Sequence, residues 1–268
     1  SQEIAPCPAP FETAIRGVVT KGVMGVANFN RVNRKSGREN PYLKGIHTPL
    51  ETEHTVTDLK VTGTIPAALN GLYLRGGPNP FGTPNSAAHH WFAGDGMLDG
   101  VRLQNGEALW YRNRWVRSPA INETLGEPVT PGAQSRFESP NTNVVAFGGR
   151  IWALVEGGGL PVDVSDILET RTQSDFGGLL RAGFTAHPHL DPLTGETHAI
   201  CYNAMETTTV WHTVIMPGGA ARRHEPVAVQ GGPLIHDCMI TRSYVIMMDL
   251  PVTFSMAALV GGDTSLYS

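Results

Sequence analysis

A series of glycine-containing turn dipeptides, each set between short alternating runs of polar and apolar residues, constrains this chain most. Such dipeptides are typical of β-hairpins, because glycine accepts the positive φ angles that tight turns require. They stand at Asn70-Gly71, Asn105-Gly106, Gly148-Gly149, Thr194-Gly195 and Gly218-Gly219. The first four lie 35, 43 and 46 residues apart, about the length of a four-stranded propeller blade. We therefore predict an all-β chain of blade-like units, with a sandwich array of hairpins as the alternative.

The composition agrees with many short strands and excludes some partners. The 268 residues include 31 Gly and 20 Pro, and only 16% of the residues are charged. The net charge is -4 and no run of Lys or Arg exceeds two residues, so we expect no nucleic-acid partner. Three cysteines without a CxxC spacing predict reduced thiols instead of a disulfide scaffold. No leader pattern or 18-residue apolar run is present, and we expect a soluble, cytoplasmic protein.

Residues 1–50 differ from the rest and form the first of two predicted units. In this segment Phe11, Ile15, Val18, Val19 and Val23 fall near helical spacing. The segment is expected to be helical or extended, and its helix either packs on the domain surface or lies at a membrane interface. The second predicted unit, residues 51–268, contains the hairpins.

Histidines are the only candidates for metal chemistry that the spacing suggests. His187 and His189 share one face if their segment is extended, whereas His89 and His90 would point to opposite faces of a strand. His236 follows a Gly-Gly-Pro turn and is unremarkable alone. Neither HExxH nor paired CxxC motifs are present, so no zinc signature exists. Spacing by itself leaves a metal role open.

Six sequence blocks, in order, carry a resemblance to a known family. They are LYLRGGPNP (72–80), WFAGDGML (91–98), NTNVV (141–145), WALVEGGGLPV (152–162), FTAHPHLDPLTGE (184–196) and PLIHDCMIT (233–241). Together they resemble the carotenoid cleavage oxygenases, particularly the bacterial enzymes that cut carotenoids and apocarotenoids. Each block is weakly specific, and their shared order over residues 70–250 makes the resemblance strong.

The resemblance implies a seven-bladed β-propeller that holds one Fe(II) on its axis through four histidines. Two of these ligands correspond to His187 and His236. Glu156 matches a glutamate that braces a ligand histidine, which we expect to be His236. Thr142 matches a side chain that crowds an open coordination position, and Phe92 matches an aromatic residue on the substrate path. The resemblance implies no protein acid or base as a catalytic residue.

The implied reaction is cleavage of a C=C bond of a carotenoid or apocarotenoid by O2, giving two carbonyl products. Neutral imidazoles suit Fe(II), and a carboxylate behind one of them would offset the ion's charge. An apolar polyene substrate also favours peripheral membrane contact through residues 11–29. A stilbene-cleaving enzyme of the same family is one alternative, although Val155 stands where such enzymes often have a lysine. An isomerase of the same family and a non-catalytic propeller that binds apolar ligands or proteins are the others.

The chain departs from the family pattern after His236, because no further histidine follows. The third and fourth ligands implied by the resemblance come from later blades. We therefore expect residues 51–268 to be an incomplete propeller and the chain to cover roughly the first half to three-fifths of the fold. Such a fragment, with unpaired strand edges, is expected to be inactive alone.

Overall fold

The computed structural model describes residues 10–35, 39–134, 139–180, 183–203, 206–231 and 234–263, with side chains described from residue 22 onward. Within them lie three α-helices and fourteen β-strands. The helices are α1 (Pro10–Asn33), α2 (Pro119–Leu125) and α3 (Met256–Gly261). The predicted β-rich architecture is therefore confirmed, and the strands fall into four antiparallel sheets.

The first sheet has four strands, and the strand that comes first in the sequence lies at one edge. Its strands are β1 (Thr55–Val56), β2 (Gly71–Pro78), β3 (Gly96–Gln104) and β4 (Glu107–Trp115). Their order is β1-β4-β3-β2, so β1 pairs with β4 and not with its sequence neighbour β2. The predicted turn at Asn105-Gly106 joins β3 to β4, with φ angles of 52° and 84°. Both angles are positive, as the Asn-Gly pair predicts for a tight hairpin.

The next two sheets are simple meanders of four strands. The second contains β5 (Asn143–Phe147), β6 (Arg150–Leu154), β7 (Val162–Val164) and β8 (Thr170–Gln173) in sequence order. The third contains β9 (His189–Leu190), β10 (Thr197–Cys201), β11 (Thr209–Ile215) and β12 (Ala221–Ala228), also in sequence order. The predicted turns at Gly148-Gly149, Thr194-Gly195 and Gly218-Gly219 all lie between consecutive strands of these sheets.

The fourth sheet pairs β13 (Cys238–Ile240) with β14 (Val245–Met247). Of the four buried apolar clusters among the described residues, three lie between successive sheets. Leu98 and Val164 lie between the first and second sheets, Trp152 and Ile215 between the second and third, and Ile200, with Ile235 and Cys238, between the third and fourth. Each sheet thus packs face to face on the next, as blades do around an axis.

One predicted hairpin is wrong. The segment before Asn70-Gly71 forms no strand between residues 57 and 70, and β2 begins at Gly71 itself. The alternating pattern of residues 55–63 suggested a partner strand, but only Thr55 and Val56 pair, and they do so with β4. Of the other turns, Gly148-Gly149 and Thr194-Gly195 mark equivalent places, because each joins the first two strands of its sheet, whereas Gly218-Gly219 joins the last two strands of the third sheet.

Helix α1 is held at its C-terminal end. The side-chain amide of Asn85 donates to the backbone carbonyls of Arg31, Val32 and Arg34 at 2.8–3.2 Å, which satisfies acceptors that every helix end leaves open. The Asn30 side chain also donates to the carbonyl of Val260 in α3 at 2.7 Å. The side chains that carried the sequence prediction of this helix, except Val23, lie outside the described residues. Among the described helices, none is long and apolar enough to cross a membrane.

Candidate metal centre

The two histidines singled out in the sequence meet in the structure. His187 Nε2 lies 3.1 Å from His236 Nε2, and the two rings are tilted by 53°. His187 precedes β9 and His236 precedes β13, so both project from irregular backbone at the start of a strand. The contact joins residues 49 positions apart in the chain. It lies on the side where the third and fourth sheets begin.

A carboxylate completes this cluster. Three potential ligand atoms lie within 4.8 Å of one another, one each from Glu156, His187 and His236. Glu156 follows β6, and its Oε1 accepts hydrogen bonds from the Ala186 amide at 2.9 Å and the Thr185 hydroxyl at 3.3 Å. Its other oxygen, Oε2, is buried, and the Tyr202 hydroxyl lies close enough to the carboxylate to lower its pKa. A buried carboxylate is costly unless hydrogen bonds or a nearby positive charge compensate it.

The surroundings shift the proton affinity of these groups. Burial raises the pKa of Glu156 to about 7, although donors that include the Ala186 amide and the Tyr202 hydroxyl act to lower it. Burial, followed by the proximity of His236, lowers the pKa of His187. His187 is therefore held in its neutral form, which is the form that binds a metal ion. Glu156 can take up negative charge near neutral pH when a cation arrives.

Thr185 links the carboxylate to the ligand segment. Its hydroxyl donates to Glu156 and accepts a hydrogen bond from the backbone amide of His187 at 3.2 Å. The Asn143 side chain donates to the carbonyl of Ala186 at 2.8 Å. The backbone on the N-terminal side of His187 is thus fixed by side chains from the second sheet. None of these contacts was foreseen, since they depend on how two sheets pack.

Two further predicted residues lie near the ends of the blades. Thr142 directly precedes Asn143, and its hydroxyl donates to the Asn141 side chain at 3.1 Å. Phe92 lies in a short 3-10 helix, Trp91–Ala93, and is 73% exposed. The Asn141 side chain bonds the carbonyls of Phe92 and Gly94 at 3.0 and 2.6 Å. Thr142 and Phe92 are therefore joined through Asn141. Their roles near an iron ion and on a substrate path remain predictions.

A second titratable cluster flanks the first. His189 Nε2 lies 2.7 Å from Asp237 Oδ1, and Cys238 Sγ lies within 4.8 Å of both ligand atoms. Burial acts to raise the pKa of Asp237, but hydrogen bonds from His189 and the Cys238 amide outweigh it and the net shift is downward. The family resemblance assigns no role to His189. Two short motifs could have indicated this pair: HxH at residues 187–189 and HD at residues 236–237, each of which places a second polar side chain beside a candidate ligand.

The residues of the first cluster fit a divalent transition metal. Two imidazole nitrogens bound at right angles and about 2.1 Å from one ion would be about 3.0 Å apart. The observed separation of 3.1 Å between His187 and His236 matches this value. Imidazole and carboxylate donors suit Fe(II) as well as Zn²⁺ and Co²⁺. The expected hydrogen bond from His236 to Glu156 is not among the described contacts, and the role of Glu156 behind a ligand stays a prediction.

The sequence profile of the retinal pigment epithelial membrane protein family matches residues 47–267. The chain therefore belongs to this family, which includes the carotenoid cleavage oxygenases. It is 48% identical over 220 residues to the carotenoid cleavage oxygenase of Mycobacterium tuberculosis (strain ATCC 25618 / H37Rv), covering 81% of this chain and 44% of that protein. It is 29% identical over 257 residues to the carotenoid 9,10(9',10')-cleavage dioxygenase 1 of Phaseolus vulgaris, covering 85% and 47%.

Solved structures agree with the sequence relatives. The lignostilbene dioxygenase of Pseudomonas brassicacearum superposes with a TM-score of 0.73 at 27% identity, over 87% of this chain and 52% of that one. The cobalt-substituted apocarotenoid oxygenase of Synechocystis gives 0.67 at 25% identity, over 82% and 52%. The fold is thus all-β and of the propeller type, as predicted, and the four sheets correspond to its blades. The chain spans about half the length of these relatives.

Proposed function

We propose that this chain is part of an Fe(II)-dependent dioxygenase that cleaves a C=C bond of a carotenoid or apocarotenoid into two carbonyl products. The carrying observation is the convergence of His187 and His236 on one point beside the buried carboxylate of Glu156, in a chain of the carotenoid cleavage oxygenase family. Iron bound there would supply the activation of O2. The two further ligands implied by the family resemblance are not assigned to residues of this chain.

The residues of the chain prepare this site for a cation. His187 and His236 offer imidazole nitrogens, and the backbone segment that carries His187 is fixed by Glu156, Thr185 and Asn143 before any ion binds. Preorganised donors bind a metal more tightly because less conformational freedom is lost on binding. The Glu156 carboxylate, ionised when the ion binds, would offset part of the 2+ charge that neutral imidazoles leave uncompensated.

A conjugated hydrocarbon is the substrate class that the relatives favour. Carotenoid-cleaving enzymes are among the sequence relatives, and one of them is 48% identical to this chain. A lignostilbene dioxygenase matches the fold at 27% identity, so a stilbene is the second candidate. Val155 beside Glu156 is apolar and cannot bond the phenol groups of such a substrate. This feature supports the carotenoid over the stilbene.

Substrate preference and iron dependence can be tested together. The polypeptide that carries this chain would be loaded anaerobically with Fe(II) and given an all-trans apocarotenoid or a hydroxylated stilbene under ¹⁸O2. We expect ¹⁸O-labelled carbonyl fragments from the apocarotenoid only, and none from the His187→Ala variant. Labelled aldehydes from the stilbene alone would replace the first candidate by the second. Products that form equally well without iron would refute the proposed centre.

Peripheral membrane contact through residues 11–29 is the second part of the proposal. On the described part of α1, Val26 is 50% exposed and Phe29 is 67% exposed, while Ala27 is buried. Nearby, Asn85 caps the end of α1 and leads through residues 86–90 to the exposed Trp91 and Phe92. Exposed apolar side chains of this kind bind lipid interfaces, where a water-insoluble polyene would reside.

Replacing both Val26 and Phe29 by Asp tests this contact. We expect the double variant to lose co-sedimentation with phosphatidylcholine vesicles, since two charges would enter the apolar face. The matched control is Leu193→Asp, because Leu193 is 81% exposed on the β9–β10 turn of the third sheet. Equal vesicle binding by all three proteins would rule out this segment as the contact.

A further inference from the structure

The two segments that carry the candidate ligands are joined at a second point. His189 lies two residues after His187, Asp237 lies one residue after His236, and the His189 Nε2 to Asp237 Oδ1 distance is 2.7 Å. Among the described residues, this bond and the His187–His236 contact are the side-chain hydrogen bonds between the two segments. The segments therefore meet residue by residue, first at the ligand pair and then at the pair beside it.

The second pair is attached to the strands that follow each ligand. His189 belongs to β9, where its backbone faces His198 of β10 across the third sheet. Asp237 directly precedes β13, and its Oδ1 also accepts a hydrogen bond from the Cys238 amide at 2.7 Å. Cys238 is buried in the apolar cluster between the third and fourth sheets. Both ends of this bond are therefore tied to strands, whereas His187 and His236 lie on irregular backbone.

We propose that His189 and Asp237 form a clasp that positions His187 and His236 for one shared metal ion. The inference rests on the proposed function and assigns His189 a positioning role, not a ligand role. The side chains of His189 and Asp237 are 38% and 55% exposed, so solvent weakens the contribution of their bond to overall stability. Its effect is local: it restricts where the His236 segment lies relative to His187, whose backbone is held by the second sheet, and so sets the separation of the ligand nitrogens.

The same residues suggest a competing arrangement. One ligand atom each from His189, Asp237 and Cys238 fall within 4.8 Å of one another and form a potential second ion site. The clasp is favoured because His189 and Asp237 already satisfy each other, and the Cys238 side chain packs among Ile200 and Ile235. An ion there would have to break the hydrogen bond and draw a buried sulfur out of its cluster.

Titration with Co²⁺ tests the clasp, because Co²⁺ reports its binding by visible absorption. In the full chain we expect His189→Ala to weaken Co²⁺ affinity about tenfold, the low end of the range for residues that orient ligands, at an unchanged one ion per chain. His189→Gln, whose amide can still donate to Asp237, should recover most of the loss. Asp237→Ala should add no further loss to His189→Ala, since the two act as one unit. His54→Ala removes an exposed histidine that directly precedes β1 and should leave the affinity unchanged.

The possible results distinguish a failure of the clasp from a failure of the proposed metal centre. Wild-type affinity in both alanine variants would overturn the clasp, as would two bound ions of which His189→Ala removes one. A wild-type chain that binds no Co²⁺ would count against the proposed metal centre, and the clasp is then judged on the metal-free protein. There, the imidazole ¹⁵N resonances of His187 and His236 should shift in His189→Ala but not in His54→Ala. Unshifted resonances would overturn the clasp independently of the metal.

Discussion

Two histidine pairs in this protein have the same nitrogen separation and different surroundings. His187 and His236 approach to 3.1 Å, and so do His198 Nδ1 and His212 Nε2. In the first pair the rings are tilted by 53°, while in the second they are stacked at 13°. Distance alone therefore does not distinguish a candidate metal site from an ordinary cross-strand contact.

What separates the pairs is the backbone beneath them and the third donor beside them. His198 and His212 stand on the adjacent strands β10 and β11, so the sheet register alone brings them together. Among the described residues, neither belongs to a group of three converging ligand atoms, whereas His187 and His236 share theirs with Glu156. The comparison teaches that a metal site needs ligands that converge from separate segments and a buried acidic group close to them.

The largest expected effect is the loss of metal binding when the pair His187 and His236 is changed. His187→Ala should abolish Co²⁺ binding, because one of the two imidazoles of this chain is lost and the ion keeps too few ligands. The matched variant His212→Ala removes a half-buried histidine with an equal nitrogen contact and should bind Co²⁺ as the wild type does. Metal content after dialysis, measured by atomic emission, decides between them. Loss of the ion in His212→Ala instead would invert the assignment of the two pairs.

The next effect concerns stability and pH in the metal-free protein. The pKa of Glu156 is about 7 in the fold against an ordinary 4.5. The unfolded chain therefore releases its proton first, and the fold loses stability as pH rises from about 4.5 to 7, then levels off. The shift corresponds to about 3 kcal/mol. Glu156→Gln cannot ionise, so denaturant unfolding should show equal stabilities at pH 4.5 and a more stable variant at pH 8. A pH-independent difference between the two proteins would contradict the raised pKa.

The smallest effect concerns Glu156, the acidic group beside His187 and His236. Glu156→Gln keeps the oxygen that accepts from Ala186 but removes the negative charge, so Co²⁺ affinity should fall by about 10- to 100-fold. Isothermal titration at pH 8, where the wild-type carboxylate is ionised, measures this loss directly. Glu225→Gln is the control, because Glu225 faces His212 across β11 and β12 and should not matter. An unchanged affinity in Glu156→Gln would remove the carboxylate from the site.

Local sequence foretold some elements well and others badly. Turns such as Asn105-Gly106 and Gly148-Gly149 were predictable because positive φ angles are needed at those positions and few residues accept them. The strand predicted before Asn70-Gly71 is absent from the structure. Alternation of polar and apolar residues indicates a half-buried face, but it does not indicate which strand would be the partner. In the structure that partner is β4, more than fifty residues away, and only Thr55 and Val56 reach it.

The sequence by itself determined the β-rich class, the hairpin turns and, through motifs in family order, His187, His236 and Glu156 as candidate site residues. These follow from local backbone preference and from residue types whose chemistry does not depend on context. Only the tertiary structure decided that the two imidazoles meet at 3.1 Å, that the Glu156 carboxylate lies within 4.8 Å of them, and that His189 joins Asp237. Such contacts link residues about 30 to 50 positions apart, and the packing of one sheet on the next fixes them.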